Sequence, residues 1–283
     1  MKRLVIPNSS VAFDFVKGLR EKFEITTETA EECASLFLKK DADIALVSPF
    51  EYARSYSLVD MTILPFAAIS LTDHSKDSLM LFSKGVENIS KVSYRKGHVY
   101  DTQLASILFN ENYKSKLSFQ SFDEDEDIEE VLKKSESLLL SGDEALENYD
   151  EHTIGLLLAE EWFLLTGLPY VSYILVCHKE NLTSDDISFI KENYRHIYLA
   201  EKEKFDEDEK EEFNEDGKHN NEATLLNDIF GEDGYTESEF NDYEEENYIF
   251  DFDDDQKSSI NEYFNYLFSY GLIDDIPELH FLE

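Results

Sequence analysis

The stretch DIALVSPFE, residues 43–51, decides the class of fold. Its apolar run IALV (44–47) is continuous rather than alternating, which is typical of a strand buried on both faces of a parallel sheet. Ser48 follows as a helix N-cap, with Pro49 at the first helical position and Glu51 completing a capping box. The stretch therefore predicts a buried strand that passes directly into a helix, as in α/β folds.

The sequence on either side of this stretch continues the alternation of strands and helices. LVI (4–6) and FEIT (23–26) are predicted strands, and residues 11–21 and 29–40 carry apolar side chains at helical spacing. A βαβαβ order predicts a parallel sheet covered by helices. The same criteria predict strands at 79–82, 91–94, 138–140 and 171–176, and helices at 102–113, 127–134, 159–165 and from 256 onward.

The net charge of −38 is concentrated in one segment. The chain has 25 Lys and Arg against 63 Asp and Glu. Residues 201–255 alone hold 24 acidic residues and four Lys, and they lack the periodicity of helices or strands. This composition predicts a solvated, mobile insertion in an otherwise ordinary acidic protein.

Composition also excludes several classes of function. An acidic surface repels phosphate backbones, so nucleic-acid binding is not expected. No apolar run reaches the roughly 18–20 residues of a membrane span, and the apolar run before Pro7 is too short for a secretory signal, so we expect a cytoplasmic protein. Cys33 and Cys177 are isolated in apolar patterns and predict reduced thiols; the histidines have no metal-ligand spacing, so no metal site is expected.

Polar residues follow three of the predicted strands. NSS (8–10) follows the first strand, Ser48 the third, and SGD (141–143) the strand at 138–140. Ligands of α/β proteins bind at the carboxyl ends of parallel strands, where free helix N–H groups attract anions. The sequence therefore favours a ligand site at these strand ends, although ordinary helix capping explains the same residues equally well.

Several of these segments together resemble the chorismate dehydratases, which open the futalosine route to menaquinone. The resemblance rests on DIALVS (43–48) followed by EYAR (51–54) and ILP (63–65), on SGDEAL (141–146), and on EW (161–162) followed by TGLPY (166–170). It covers about residues 1–200 and 256–283 and leaves out the acidic segment.

The resemblance implies a periplasmic-binding-protein-like fold of type II, in which two α/β lobes close over a ligand. Lobe one would comprise 1–83 and 171–283, with the acidic insertion at about 201–255, and lobe two would comprise 84–170. The implied activity is the dehydration of chorismate to 3-[(1-carboxyvinyl)oxy]benzoate, a carbon–oxygen lyase reaction that needs no cofactor.

The resemblance also implies roles for individual residues. Asn8 and Ser78 would be the catalytic groups nearest the reacting carbons. The substrate-binding residues would be Ser10, Ser48, Asp101, Thr102 and Asp143. Asp101 stands where the family has a hydroxyl that holds a carboxylate, and its own charge would repel an anionic substrate.

Two alternatives remain open at this stage. The chain could be a non-catalytic two-lobe protein that binds a neutral or basic small molecule and has lost the dicarboxylate site. Separately, the acidic insertion could dock a basic protein partner, although charged runs are usually only solvated surface.

Overall fold

Two β-sheets organise the chain. The computed structural model describes residues 1–83, 89–97, 99–123, 125–149, 154–194 and 247–283. The first sheet contains β1 (Lys2–Pro7), β2 (Phe23–Glu28), β3 (Ile44–Val47), β4 (Thr62–Leu71), β10 (Tyr170–Cys177) and β11 (Tyr248–Ile249). The second contains β5 (Ser78–Phe82), β6 (Lys91–Arg95), β7 (Ser118–Phe122), β8 (Ser137–Ser141) and β9 (Gly155–Leu157).

Helices connect and cover the strands. They are α1 (Ser10–Val16), α2 (Ala30–Leu38), α3 (Pro49–Ser55), α4 (Val99–Tyr113), α5 (Ile128–Lys134), α6 (Asp143–Glu147), α7 (Leu158–Thr166), α8 (Ser184–Asn193) and α9 (Asp254–Ser269), with 3-10 turns at Lys17–Leu19 and Lys179–Asn181. Ser48 accepts a hydrogen bond from the Glu51 N–H at 3.2 Å and caps α3, as predicted. The helix predicted to reach residue 21 leaves α-helical geometry after Val16, because Gly18 favours the tighter 3-10 turn over a continued α-helix.

The two sheets share one strand arrangement. The first has the order β11-β4-β10-β3-β1-β2 and the second the order β7-β6-β8-β5-β9. In the first, β1 pairs in parallel with β2 and β3, and β10 then pairs antiparallel to both β3 and β4. In the second, β6 pairs in parallel with β7 and β8, and β5 pairs antiparallel to β8 and β9. Each sheet therefore aligns the carboxyl ends of three parallel strands at one edge.

An aromatic cluster packs α7 against the first sheet. The Trp162 ring lies edge-on to the rings of Tyr170 and Tyr263, with centroids 6.0 and 5.9 Å apart, and the Trp162 indole N–H donates to the Ser259 hydroxyl at 3.1 Å. Such edge-to-face pairs add specific geometry to the burial of large apolar area. Helix α7 follows β9 of the second sheet, so this cluster attaches the second sheet to the first.

The structure bears on two predicted boundaries. The acidic insertion was expected to extend to about residue 255, but β11 pairs Tyr248 with Leu71, and Phe250 is buried. Residues 247–255 therefore belong to the folded part, because β11 covers the edge of β4 and α9 begins at Asp254. Residues 201–246 of the predicted insertion lie outside the described residues. The predicted lobe boundary at residue 83 stays a prediction, although β5 pairs only with β8 and β9 of the second sheet among the described strands, which favours a boundary before Ser78. The division into two lobes itself stays a proposal.

Replacement of Ile174 tests the central position of β10. Ile174 is fully buried between β3 and β4. Ile174→Ala removes buried methyl groups and should lower the free energy of unfolding by about 2–5 kcal/mol, measured by urea denaturation. The matched control is Ile276→Ala, at a site that is 40% exposed, which should cost less than about 0.5 kcal/mol. Equal losses in the two variants would contradict the assigned place of β10.

Candidate functional site between the two sheets

Two predicted site residues lie side by side at the carboxyl edge of the first sheet. Strands β1 and β3 are parallel, with Leu4 opposite Ile44 and Val5 opposite Ala45. Continuing this register places Asn8 level with Ser48. Asn8 is exposed and its backbone N–H donates to the Glu28 carbonyl at 2.9 Å, whereas Ser48 is buried as the cap of α3.

The corresponding edge of the second sheet carries Ser78 and Ser141. These two residues pair directly across the antiparallel strands β5 and β8, so their side chains leave the sheet on the same face. The Ser141 hydroxyl donates to the carboxylate of Asp101 at the start of α4. The Ser78 hydroxyl is buried and has no hydrogen-bond partner among the described residues. An unpaired buried hydroxyl is uncommon in a folded protein, which makes it a candidate ligand contact.

The Ser10 N–H connects the two edges, and the Gly142 N–H extends the pairing of β5 with β8. The Ser10 N–H donates to both carboxylate oxygens of Asp143, each at 3.2 Å. The Gly142 N–H donates to the Asp77 carbonyl at 2.8 Å. Gly142 has φ +62°, and a Cβ there would lie 3.6 Å from Asp77 Oδ1 and 3.8 Å from Ser9 Cβ. The turn at Gly142 therefore stands between the segment after β1 and the segment before β5.

The structure thus connects most of the predicted site residues. Contacts join Ser10 to Asp143 and Asp101 to Ser141, and strand pairing places Ser141 opposite Ser78. Thr102 is buried beside Asp101, and its hydroxyl accepts from the Gln103 amide at 3.2 Å. Asn8 and Ser48 lie at the same edge as Ser10. Within the described residues, neither of them forms a hydrogen bond with Ser78 or Asp143. The individual roles of all seven residues stay predictions.

Asp77 belongs to the same junction and was not predicted as a site residue. Its side chain is 7% exposed, and its Oδ1 atom has no hydrogen-bond partner among the described residues. Burial raises the pKa of this carboxyl well above its usual range, and the charges of Asp101 and Asp143 raise it further. The signal in the sequence was a carboxylate immediately before the apolar strand SLMLF (78–82).

Asp14 extends the acidic cluster on the side of α1. Its pKa is raised from 3.8 to about 6, chiefly by burial; Lys17 partly offsets the shift and Asp143 adds to it. Asp143 therefore acts both on Asp14 and on Asp77, and Asp101 acts on Asp77 as well. Such an arrangement disfavours further negative charge and favours neutral carboxyl groups or a ligand without excess negative charge.

A separate cavity of about 390 Å³ opens near the ends of β2, β6 and β7. It is lined by Thr29, Glu31, Lys96, Gly97 and Asp123. Gly97 has φ +94°, and a Cβ there would lie 3.1 Å from the Thr29 methyl group, so the segment after β6 closely approaches the N-terminus of α2. Lys96 lies 3.8 Å from Asp123, which balances much of its charge. The cavity provides room for a small molecule on the same side as the strand ends.

Within the described ranges, no group of three or more His, Cys, Asp or Glu side chains is arranged to hold a metal ion. No helix in the part of the chain that the structure describes is both long and apolar enough to cross a membrane.

Comparison with solved structures defines the class of fold. The chain is similar to protein AF1704 from Archaeoglobus fulgidus, with a TM-score of 0.71 and 12% identity over 96% of this chain and 98% of that one. It is also similar to the periplasmic aliphatic sulphonate binding protein SsuA from Escherichia coli (TM-score 0.60, 8% identity, 98% and 95% covered). A third similar structure is the Candida albicans CA3427 product, described as having the generic periplasmic binding protein fold (TM-score 0.60, 10% identity, 99% and 92% covered). The protein has the periplasmic-binding-protein fold, as predicted.

Sequence comparison then gives the family. The family model for menaquinone biosynthesis matches residues 6–269, which is most of the chain. The chain belongs to this menaquinone biosynthesis family, and the match confirms the family resemblance seen in the motifs. No curated protein is similar enough in sequence to be matched.

Neutralising Asp14 tests the electrostatics of the junction. The raised pKa means that the folded state holds the Asp14 proton more tightly than the unfolded chain does, so the penalty from Asp14 is largest above pH 6 and disappears as the pH falls towards 4. Asp14→Asn should therefore raise the free energy of unfolding at pH 7.5, by on the order of 1–3 kcal/mol, and have little effect near pH 4. Urea denaturation at the two pH values measures this difference.

The control for this prediction is Asp125→Asn, at an exposed position. It should change stability by less than about 0.5 kcal/mol at both pH values. A gain for Asp14→Asn that is the same at pH 7.5 and pH 4 would show that the charge of Asp14 is not the cause.

Proposed function

We propose that the chain binds chorismate between its two lobes and dehydrates it to 3-[(1-carboxyvinyl)oxy]benzoate, as a cytoplasmic enzyme of menaquinone biosynthesis. Membership of the menaquinone biosynthesis family supports the pathway. The observation that carries the proposal is the buried Ser78 hydroxyl, which lacks a hydrogen-bond partner within the described residues and lies where the ends of the two sheets meet. Lobe one would comprise residues 1–77 and 171–283, and lobe two about 78–170.

The reaction requires little chemistry from the protein itself. The ring carbon that carries the enolpyruvyl ether loses its proton, the neighbouring carbon loses its hydroxyl group, and formation of an aromatic ring drives both changes. Protein groups then mainly orient the substrate and move protons. The Ser78 hydroxyl and the Asn8 amide are the groups that we assign to this task, with Ser10, Thr102 and the hydroxyl of Ser48 as candidates for holding the substrate. No cofactor is needed in this scheme.

The acidic cluster favours a second candidate function. Asp101 and Asp143 are drawn into the junction by hydrogen bonds from Ser141 and Ser10, and these are donors that an anionic substrate would otherwise use. A protein that binds a neutral or basic small molecule without converting it fits this charge better. A thermal-shift screen separates the two candidates: stabilisation by chorismate analogues supports the enzyme, and stabilisation only by uncharged or basic metabolites supports the binding protein.

A basic protein partner for the acidic segment is a further proposal, which concerns residues outside the described ranges. Deleting 203–244 leaves β11 in place and removes most of the acidic excess. Loss of a co-purifying basic protein from this variant would support the proposal. An unchanged set of partners and unchanged solubility would contradict it.

The Ser78 hydroxyl provides the direct test of the dehydratase. Ser78→Ala removes the unpaired hydroxyl while leaving the strand pairing of β5, so turnover of chorismate should fall by roughly 10²–10⁴-fold with an unchanged melting temperature. The measurement is chromatographic detection of the enolpyruvyl-benzoate product.

The matched control is Ser83→Ala at the far end of β5. The Ser83 hydroxyl donates to the Glu136 carbonyl at 3.0 Å, away from the junction. This variant should retain the wild-type rate. A wild-type rate in Ser78→Ala would overturn the assignment of Ser78, and no product from the wild-type protein at high concentration would overturn the activity.

A further inference from the structure

Asp77 has a buried carboxyl oxygen that the fold leaves without a partner. Its side chain is 7% exposed, and Oδ1 receives no hydrogen bond within the described residues. The backbone of Asp77 is fully used, since its N–H donates to the Ser75 hydroxyl at 3.3 Å and its carbonyl accepts from the Gly142 N–H at 2.8 Å. The backbone is thus fixed, while one oxygen of the carboxyl group has no hydrogen-bond partner. Burying such an oxygen destabilises the fold unless the group binds a proton or a ligand donates a hydrogen bond to it.

The next residue shows the same feature. The Ser78 hydroxyl is also buried and also without a partner in the described part of the chain. Two consecutive residues therefore present unsatisfied oxygens at the start of β5. Both lie beside the turn at Gly142, where Oδ1 of Asp77 is 3.6 Å from the position of a Cβ at residue 142. This is the junction at which the Ser10 N–H meets Asp143.

The charges that face Asp77 are negative. Asp101 approaches from α4 and Asp143 from α6, and Asp143 in turn influences Asp14 on α1. Lys17 and Arg20 partly offset the shift of the Asp14 pKa, and the Lys76 ammonium lies 5.0 Å from the centre of the Tyr149 ring. Carboxyl groups that are buried near like charges take up a proton, and a protonated carboxyl is a hydrogen-bond donor.

We propose that Asp77 is an additional ligand-contacting residue, which acts as a neutral carboxylic acid and donates a hydrogen bond to a hydroxyl group of the ligand held beside Ser78. This inference rests on the proposed function for the identity of that hydroxyl, which in chorismate is the one that leaves. A protonated Asp77 carries no charge, so the ligand meets less negative charge at this junction.

The acid has a defined part in the dehydration. The C–H bond at the ether-bearing carbon breaks, and its electron pair forms the new ring double bond as the neighbouring C–O bond breaks. The departing hydroxyl takes the proton of Asp77 and leaves as water. The proton lost from carbon passes to solvent, and Asp77 is reprotonated from solvent, so the net change is the loss of one water molecule.

Infrared difference spectroscopy tests the protonation and the contact together. The spectrum of the wild-type protein minus that of Asp77→Asn at pH 7 should contain the C=O stretch of a protonated carboxyl. The probes are chorismate and trans-cyclohexane-1,2-diol, an uncharged compound with two hydroxyl groups, and each should shift this band. Asp125→Asn, at an exposed site, is the control and should leave the band in place.

Kinetics provide the second readout. Asp77→Asn keeps the size of the side chain but has no acidic proton, so kcat should fall by about 100-fold or more while KM changes little. The wild-type rate should decrease as the pH rises through the raised pKa of Asp77, and Asp77→Glu should restore part of the rate together with this pH dependence.

The outcomes separate the two proposals. Absence of the carboxyl band, failure of both probes to shift it, or a wild-type kcat in Asp77→Asn overturns the assignment of Asp77. If the diol shifts the carboxyl band but the protein does not dehydrate chorismate, the proposed function is overturned. The same result supports Asp77 as the contact for a hydroxylated ligand.

Discussion

The hydrogen bonds from the Ser10 N–H to the Asp143 carboxylate join the two halves of the site. Ser10 begins the helix after β1 of the first sheet, and Asp143 begins the helix after β8 of the second. Without this contact the strand ends of the two sheets would be separate surfaces. With it, and with the Gly142–Asp77 hydrogen bond beside it, residues from four segments far apart in sequence surround one position. The other contacts of the site, Ser78 opposite Ser141 and Ser141 to Asp101, belong to the second sheet and the helix that packs on it.

Closure also determines the electrostatics. Asp143 brings its charge to Asp14 and Asp77, and Ser141 holds Asp101 on the same side. The repulsion among these groups is relieved when some of them are protonated. The ligand is then selected through hydroxyl groups at least as much as through charge. Chorismate offers such a hydroxyl, and so do uncharged ligands of the second candidate function.

The sequence predicted what local patterns encode. The β1–α1–β2–α2–β3 order and the cap at Ser48 were both found, because apolar periodicity and capping residues act within a few positions. Strand β4 was missed because it contains Pro65, and a proline in a sequence usually indicates the end of a strand. In the structure Pro65 lies where the pairing of β4 with β10 shifts register at a bulge, so the strand continues past it. Strand β11 was missed because its two residues lie beside an acidic stretch and depend entirely on pairing with β4. Asp77 was missed because Asp101 and Asp143 lie far from it in the sequence, and only the pairing of β5 with β8 brings the three residues together.

A crystal structure with bound 3-[(1-carboxyvinyl)oxy]benzoate tests the central claim most directly, namely that the ligand occupies the junction of the two sheets. The account predicts the product between the lobes, with its ring edge within hydrogen-bonding reach of Ser78 and Asp77. Binding only in the cavity lined by Thr29 and Lys96, with the Ser78 hydroxyl still buried and unpaired, would contradict it.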